Sequence, residues 1–118
     1  MISIANGAVF IGMAFYSGSV FMPSTEAIIL FGAKEPTLVV KGEWWRLITS
    51  MFVHIGLIHF AFNTYALKVI GPQVEQVLGG KLFLFVYLIT GFVGSLCSSV
   101  FNVNISAGAS GAIMGLLG

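Results

Sequence analysis

The sequence predicts an all-α, polytopic membrane protein. Of its 118 residues, 58% are hydrophobic and 8% are charged, whereas about a quarter of the residues in an average soluble domain are charged. Its mean hydropathy is +1.03, and its apolar residues fall into long runs separated by polar segments. Because one crossing of the bilayer takes about 20 apolar residues, the chain has room for three full transmembrane helices and part of a fourth.

The first apolar run, residues 2–22, contains no charged residue and ends before Pro23. A signal peptide is the alternative interpretation, but no Lys or Arg precedes the run and further apolar runs follow. We therefore predict a first transmembrane helix. Small and polar residues within it, such as Asn6 and Gly12, favour close packing against other helices.

Residues 23–46 form a connection that is too long for a tight turn and too apolar for a solvated loop. Trp44 and Trp45 stand beside Arg46 at its end. Indole rings and the apolar stem of arginine suit the boundary between lipid and water. We predict a membrane-associated first loop here.

The second run, residues 47–70, is predicted to end at Gly71 and Pro72. Glycine readily takes the left-handed conformation after a helix, and proline does not continue one. The third run, residues 82–101, carries small residues at three- and four-residue spacing, which predict a packing stripe on one helix face; they are Gly91, Gly94, Ser95 and Ser98.

The fourth run, residues 107–118, is predicted to be the incomplete start of a helix. From Ser110 to Gly118 an α-helix rises about 12 Å, which is under half of the hydrocarbon core. We therefore predict that the chain is a fragment of a longer polytopic protein, a single partial domain over residues 1–118.

Charge and cysteine content narrow the range of partners. A net charge of +1 provides no basic patch to neutralise phosphates, which argues against nucleic acid as a partner. The single cysteine, Cys97, cannot form an intrachain disulfide. Lys and Arg residues are spread too evenly between the loops to assign the topology. We expect a lipid bilayer as the surroundings and no cofactor; the oligomeric state stays open.

Three polar residues lie within the apolar second run: His54, His59 and Asn63. Such groups are costly inside a membrane and usually face the bundle interior or a water-filled cavity. On one continuous helix His59 and Asn63 lie roughly 40° apart, whereas His54 lies about 140° from His59. His59 and Asn63 can therefore serve one site. Interhelical hydrogen bonding is an alternative for them, and a zinc site is a weaker one because carboxylates and thiols are scarce.

The last segment reads GASGAIMGLLG. Its glycines form a stripe suited to close helix packing; they are Gly108, Gly111, Gly115 and Gly118. Ser110 stands where a helix is predicted to begin, and the free amides and positive dipole end of a helix start favour a developing oxyanion. A hydroxyl there, with donors from His59 and Asn63, has the groups needed for acyl transfer apart from an assured base. These residues alone leave open whether His59 is that base.

Three motifs in order resemble the rhomboid family of intramembrane serine proteases. They are WR at Trp45 and Arg46, HIGLIHFAFN from His54 to Asn63, and GASG from Gly108 to Gly111. The resemblance covers nearly the whole chain from residue 25 onward. The first predicted helix resembles the family only in its general apolar character and carries none of the three motifs.

The resemblance implies a rhomboid-like bundle of six helices, with Ser110 as the nucleophile. His59, Asn63 and the Ser110 amide would form the oxyanion hole, and His54 would be structural. Trp45 and Arg46 would belong to the first loop. The family's general base is a histidine on the sixth helix, which these residues do not include. Met114 stands where the family commonly has an aromatic ring that packs on that histidine.

The resemblance also implies the activity: a serine endopeptidase that cleaves transmembrane proteins, located in a bacterial plasma membrane. The 118-residue chain alone is expected to be inactive. One alternative is a catalytically inactive relative that binds membrane clients. A transporter or channel fragment is another, but it leaves the GASG and WR motifs unexplained.

Overall fold

A computed structural model describes residues 1–118 and is built almost entirely of helices, in agreement with the all-α prediction. Its only β pairing is an isolated antiparallel bridge between Lys34 and Ser106. The helices are α1 (Ile2–Ser17), α2 (Thr25–Leu30), α3 (Pro36–Val40), α4 (Arg46–Thr49), α5 (Leu57–Leu78), α6 (Gly80–Phe101) and α7 (Ser110–Leu117), with a 3₁₀ turn over Ser50–Phe52.

The first helix ends at Ser17, so the prediction of a helix over residues 2–22 is wrong at its carboxyl end. Gly18 adopts the left-handed conformation, with φ 69°, and its N–H contacts the Phe15 carbonyl. The Ser24 amide then donates to the Ser17 hydroxyl at 2.7 Å, which turns the chain back. Glycine takes this conformation without a steric penalty and so ends the helix inside an apolar run.

The second predicted helix, residues 47–70, is broken. The segment Arg46–Phe52 meets α5 at an angle of 90°, and residues 53–56 between them are not helical. Gly56 lies in this break with φ 106°, and a Cβ atom there would overlap the carbonyl oxygen of Phe21. His54 is consequently not on the helix that carries His59, and the 140° separation expected from a continuous helix does not apply.

The same helix also runs past its predicted end, because Gly71 and Pro72 lie inside α5. Proline removes one backbone donor, a loss that membrane helices tolerate when nearby groups satisfy the carbonyls. The carbonyl that Pro72 leaves without its helical donor is that of Lys68; the Gln73 side chain donates to the next carbonyl, that of Val69, at 2.9 Å. The left-handed glycine that follows α5 is Gly79, with φ 77°.

Only α6 is by itself long and apolar enough to cross a membrane. The bent pair of Arg46–Phe52 and α5 passes the same test when it is counted as one span, and α1 is a shorter apolar helix of 16 residues. The structure therefore does not confirm the predicted number of three full crossings.

The small residues of α6 face the start of α7 and the 3₁₀ turn. A Cβ atom added to Gly94 would lie 3.6 Å from the Gly111 Cα atom, and one added to Gly91 would overlap Met51. One added to Gly115 would lie 2.6 Å from Thr90 Cγ2. These close approaches let α7 lie directly against α6, and they set the position of the segment that carries Ser110.

Candidate active site

Ser110 is the first residue of α7, and it is exposed. The first backbone bond of this helix runs from the Ile113 amide to the Ala109 carbonyl at 2.9 Å. The amides of Ser110, Gly111 and Ala112 therefore have no acceptor within the helix. They leave several donors and the positive end of the helix dipole next to the Ser110 hydroxyl.

The His59 ring lies against the loop that leads to Ser110. A Cβ atom added to Gly108, two residues before the serine, would lie 2.7 Å from His59 Nε2. Gly108 has φ 114°, a conformation that favours glycine, and its amide donates to the Ser50 carbonyl at 2.8 Å. Glycine at position 108 thus allows both the turn and the close approach of the imidazole.

The hydrogen bonding of His59 assigns its tautomer. The Ile55 amide donates to His59 Nδ1 at 3.3 Å, so Nδ1 is the unprotonated nitrogen of a neutral ring. Nε2 then carries the proton. The nitrogen nearer to Gly108 is therefore a hydrogen-bond donor, which suits an oxyanion and not the abstraction of a proton from a hydroxyl.

Asn63 lies one turn further along α5 and is buried. Its Nδ2 donates to the His59 carbonyl at 2.9 Å. An amide nitrogen carries two hydrogens, so one N–H remains for another acceptor. His59 and Asn63 both belong to the first two turns of α5, consistent with their predicted common face.

His54 lies outside α5 but beside His59. The two ring centroids are 5.4 Å apart, and the Phe60 ring stands edge-on to His54 at the same distance. His54 is fully buried, and its Nδ1 lies 3.3 Å from the Phe52 carbonyl, to which it donates. The break in the second run thus brings the two histidines together, a contact that helical spacing could not predict.

The WR motif divides into one buried and one exposed residue. Arg46 is buried and donates from Nη1 to the carbonyls of Ile29 (2.6 Å) and Ala33 (3.1 Å). Its Nε pairs with Glu43 at 2.5 Å. Trp45 is exposed. Arg46 therefore connects separate parts of the first loop by hydrogen bonds, while the indole ring of Trp45 is exposed.

Glu35 caps α3 at its amino end, where its carboxylate accepts from the Leu38 amide at 2.9 Å. A hydrogen bond from the Thr37 hydroxyl, together with that amide, lowers the pKa of Glu35. The carboxylate therefore remains ionised at neutral pH and stabilises the first turn of α3.

A polar cavity of about 160 Å³ lies beside Ser110. Across it the hydroxyls of Ser50 and Ser95 are 3.2 Å apart. Its serines come from the 3₁₀ turn, α6, the connection between α6 and α7, and α7 itself; they are Ser50, Ser95, Ser98, Ser106 and Ser110. A larger cavity of about 640 Å³ lies near the turn between α5 and α6 and shares no residue with this one. The cavity beside Ser110 is polar and large enough to hold water.

Sequence reasoning missed two residues near this site, Ser50 and Lys34. Ser50 follows Thr49 in an apolar run, and the bond from its carbonyl to the Gly108 amide depends on the 3₁₀ turn. Lys34 stood among the charges of the first loop, and nothing in its neighbours marked it as buried. Met114, which sequence reasoning singled out, lies one turn after Ser110 and is exposed.

The arrangement combines a serine hydroxyl at a helix start, unpaired amides and an imidazole donor beside the preceding loop. These are the parts that stabilise an oxyanion in acyl transfer. No group of three or more His, Cys, Asp or Glu side chains is placed to hold a metal ion.

These features define a helical membrane protein with a serine-centred site, and the comparisons with known proteins name its family. A sequence model of the Rhomboid domain matches residues 41–118. The chain belongs to the rhomboid family, a family of intramembrane proteases, and is an integral membrane protein.

Several curated relatives are similar to it. Rhomboid protease GluP of Bacillus subtilis is 53% identical over 95 residues, which are 80% of this chain and 19% of GluP. RHOMBOID-like protein 6, mitochondrial, of Arabidopsis thaliana is 43% identical over 81% of this chain and 32% of its own length. The putative rhomboid protease YdcA of Bacillus subtilis is 42% identical over 68% of this chain and 41% of its own length. The match thus spans between 19% and 41% of the length of these relatives.

Proposed function

We propose that these residues are part of a longer intramembrane serine endopeptidase, in which Ser110 attacks the peptide bond of a transmembrane substrate. The observation that carries the proposal is the placement of Ser110 at the first residue of α7, with unpaired amides and the His59 ring against Gly108. Its similarity to a relative named a rhomboid protease supports the same activity.

In the proposed reaction the Ser110 hydroxyl oxygen bonds to the carbonyl carbon, and its proton passes to a base. The tetrahedral oxyanion accepts hydrogen bonds from the Ser110 amide, His59 Nε2 and the free N–H of Asn63. The carbon–nitrogen bond then breaks as the base protonates the leaving amine. Water hydrolyses the resulting acyl-enzyme, which restores the serine.

We assign the base to a histidine outside these 118 residues. Of the two histidines present, His59 has its proton on the nitrogen nearer to Gly108, and His54 is fully buried behind it. The chain alone would therefore be inactive. A catalytically inactive relative that binds membrane clients is less well supported, since the nucleophile and its donors are all present.

We place the protein in a bacterial plasma membrane. The bacterial relatives GluP and YdcA support this location, although mitochondrial and chloroplastic relatives occur in the same family. Inside a bilayer, a substrate helix must unwind to expose a peptide bond, and each freed backbone group costs several kcal/mol unless water or protein satisfies it. The polar cavity beside Ser110 would supply such surroundings.

Peptide mapping tests the proposed nucleophile. The full-length protein, purified in detergent, is treated with a fluorophosphonate, digested and analysed by mass spectrometry. We expect the adduct on Ser110, while the other cavity serines act as internal controls because they share its surroundings but not the helix start. An adduct on another serine, or none on an intact protein, would contradict the assignment.

A second prediction concerns the proposed oxyanion donor Asn63. Asn63→Ala is expected to slow fluorophosphonate labelling of Ser110 by about 10²-fold, the usual effect of losing one such donor. Gln73→Ala is the matched control, since the Gln73 amide makes the same bond to a carbonyl four residues earlier in α5. If both substitutions reduce the labelling rate equally and only slightly, Asn63 stabilises the helix through its bond to the His59 carbonyl and is not an oxyanion donor.

A further inference from the structure

Lys34 has surroundings that are unusual for a lysine. It is fully buried, with 0% of the residue exposed, and burial lowers its pKa. No carboxylate pairs with it, since the one ion pair of the chain joins Arg46 and Glu43. Lysine is almost never fully buried unless it is paired, so the contacts of this ammonium group need an explanation.

The Lys34 ammonium group lies at the carboxyl end of α6. Nζ donates to the Ser98 hydroxyl at 2.9 Å and contacts the Asn102 carbonyl at 3.5 Å. Ser98 is in the last turn of α6, and Asn102 follows its last residue. A cation at this end of a helix is stabilised by the unpaired carbonyls and the negative end of the dipole.

The backbone of Lys34 holds a second point on the same connection. Its amide donates to the Ser106 carbonyl at 2.9 Å, and the Ser106 amide donates back to the Lys34 carbonyl at 3.0 Å. Residues 98–106 lead from α6 towards Ser110. Lys34 therefore binds this segment at both ends, with its side chain at one and its backbone at the other.

Neighbouring contacts extend this attachment in both directions. Before Lys34, the Ala33 carbonyl accepts a bond from Arg46. After Ser106, the Gly108 amide donates to Ser50, and the His59 ring lies against Gly108. Lys34 is therefore one of the points at which the first loop contacts the segment leading to the site, alongside the apolar packing of Ile105 and Ala107 against the cluster that contains Ala33.

We propose that Lys34 is a positioning residue, which holds the segment between α6 and α7 so that Ser110 and Gly108 keep their places beside His59. The inference rests on the proposed role of Ser110 as nucleophile. Without the ammonium group, the Ser98 hydroxyl and the Asn102 carbonyl lose a partner. The segment then keeps its backbone bridge, the bond from Gly108 to Ser50 and the apolar packing of Ile105 and Ala107. A displacement of about 1 Å at a reacting group can slow a reaction about 10²-fold.

Lys34→Met in the full-length protein tests the inference, because methionine keeps most of the volume and leaves both backbone bonds to Ser106 in place. We expect the maximal rate of fluorophosphonate labelling at Ser110 to fall between about 10- and 100-fold. The half-saturating probe concentration should change little. Hydrogen exchange at the Ser106 and Gly108 amides should become faster, while exchange in α1 stays the same.

Lys41→Met is the matched control, since Lys41 lies in the same loop but is exposed; it should change neither measurement. Ser98→Ala provides a second variant that keeps the lysine and removes one acceptor, and it should shift both measurements in the same direction by a smaller amount. If Lys34→Met does not fold, Ser98→Ala decides the question.

Unchanged exchange at Ser106 and Gly108 together with an unchanged labelling rate would overturn the positioning role. A failure of the proposed function would look different: wild-type protein would carry no adduct on Ser110. Exchange at the two amides would still report whether Lys34 holds the segment.

Discussion

Ser110→Ala is expected to abolish both cleavage of a transmembrane substrate and fluorophosphonate labelling by the full-length protein. Removing the hydroxyl removes the atom that would form the acyl-enzyme, while the amides of α7, His59 and Asn63 stay in place. The folded structure should tolerate the change, since Ser110 is exposed and its side chain makes no hydrogen bond within the chain. Gel fluorescence after labelling, with a cleavage assay in liposomes, measures the effect.

Ser106→Ala is the control for this substitution. Ser106 lines the same cavity, and its backbone bonds to Lys34 do not depend on its hydroxyl. Labelling and cleavage should therefore persist in Ser106→Ala. Substrate cleavage by Ser110→Ala at the wild-type rate would end the nucleophile assignment, whatever the behaviour of the control.

Gly108→Ala is expected to reduce the labelling rate of Ser110 by at least about 10²-fold. The new methyl carbon would lie 2.7 Å from His59 Nε2 and would also force alanine to adopt φ 114°. Two neighbours must then move: the imidazole proposed as an oxyanion donor and the loop that leads to the proposed nucleophile. Part of the loss should also appear as a lower melting temperature, since alanine is strained at positive φ.

Gly42→Ala separates the two causes. Gly42 has nearly the same φ, 111°, but a Cβ atom there would have nothing within 4 Å. It should therefore show the cost of backbone strain without the collision, and it should leave labelling nearly unchanged. Equal labelling rates for the two alanine variants would show that contact between Gly108 and His59 is not needed for reactivity.

Local patterns predicted part of this structure well. The spacing of small residues predicted a packing stripe on α6 and another on α7, and both lie at close helix contacts, because close approach needs side chains this small. That the two stripes meet each other was not predicted. Residue size restricts the neighbours of such a stripe strongly enough to be predicted locally. The WR motif predicted only a position at the boundary between lipid and water, and the burial of Arg46 and its bonds to the first loop came from the structure.

Helix boundaries were predicted less well, because hydrophobicity does not distinguish a continuous helix from a broken one. Gly18 ends α1 inside an apolar run, Gly56 allows the break before α5, and Pro72 fails to end α5. In membrane-protein interiors, neighbouring segments decide whether a freed backbone group is satisfied. Those neighbouring segments are distant in sequence, so the local pattern around the glycine or proline does not reveal them.

Residue composition and the order of the motifs were sufficient to predict a helical membrane protein, its family and a serine at a helix start, since each depends on chemistry local to a few residues. Only the tertiary structure showed that the His54 ring lies beside the His59 ring, and that the absence of a side chain at Gly108 allows the imidazole to approach. It also showed that Lys34 binds the segment before Ser110. Those contacts join residues up to 68 positions apart, and only the folded chain brings such distant groups within bonding distance.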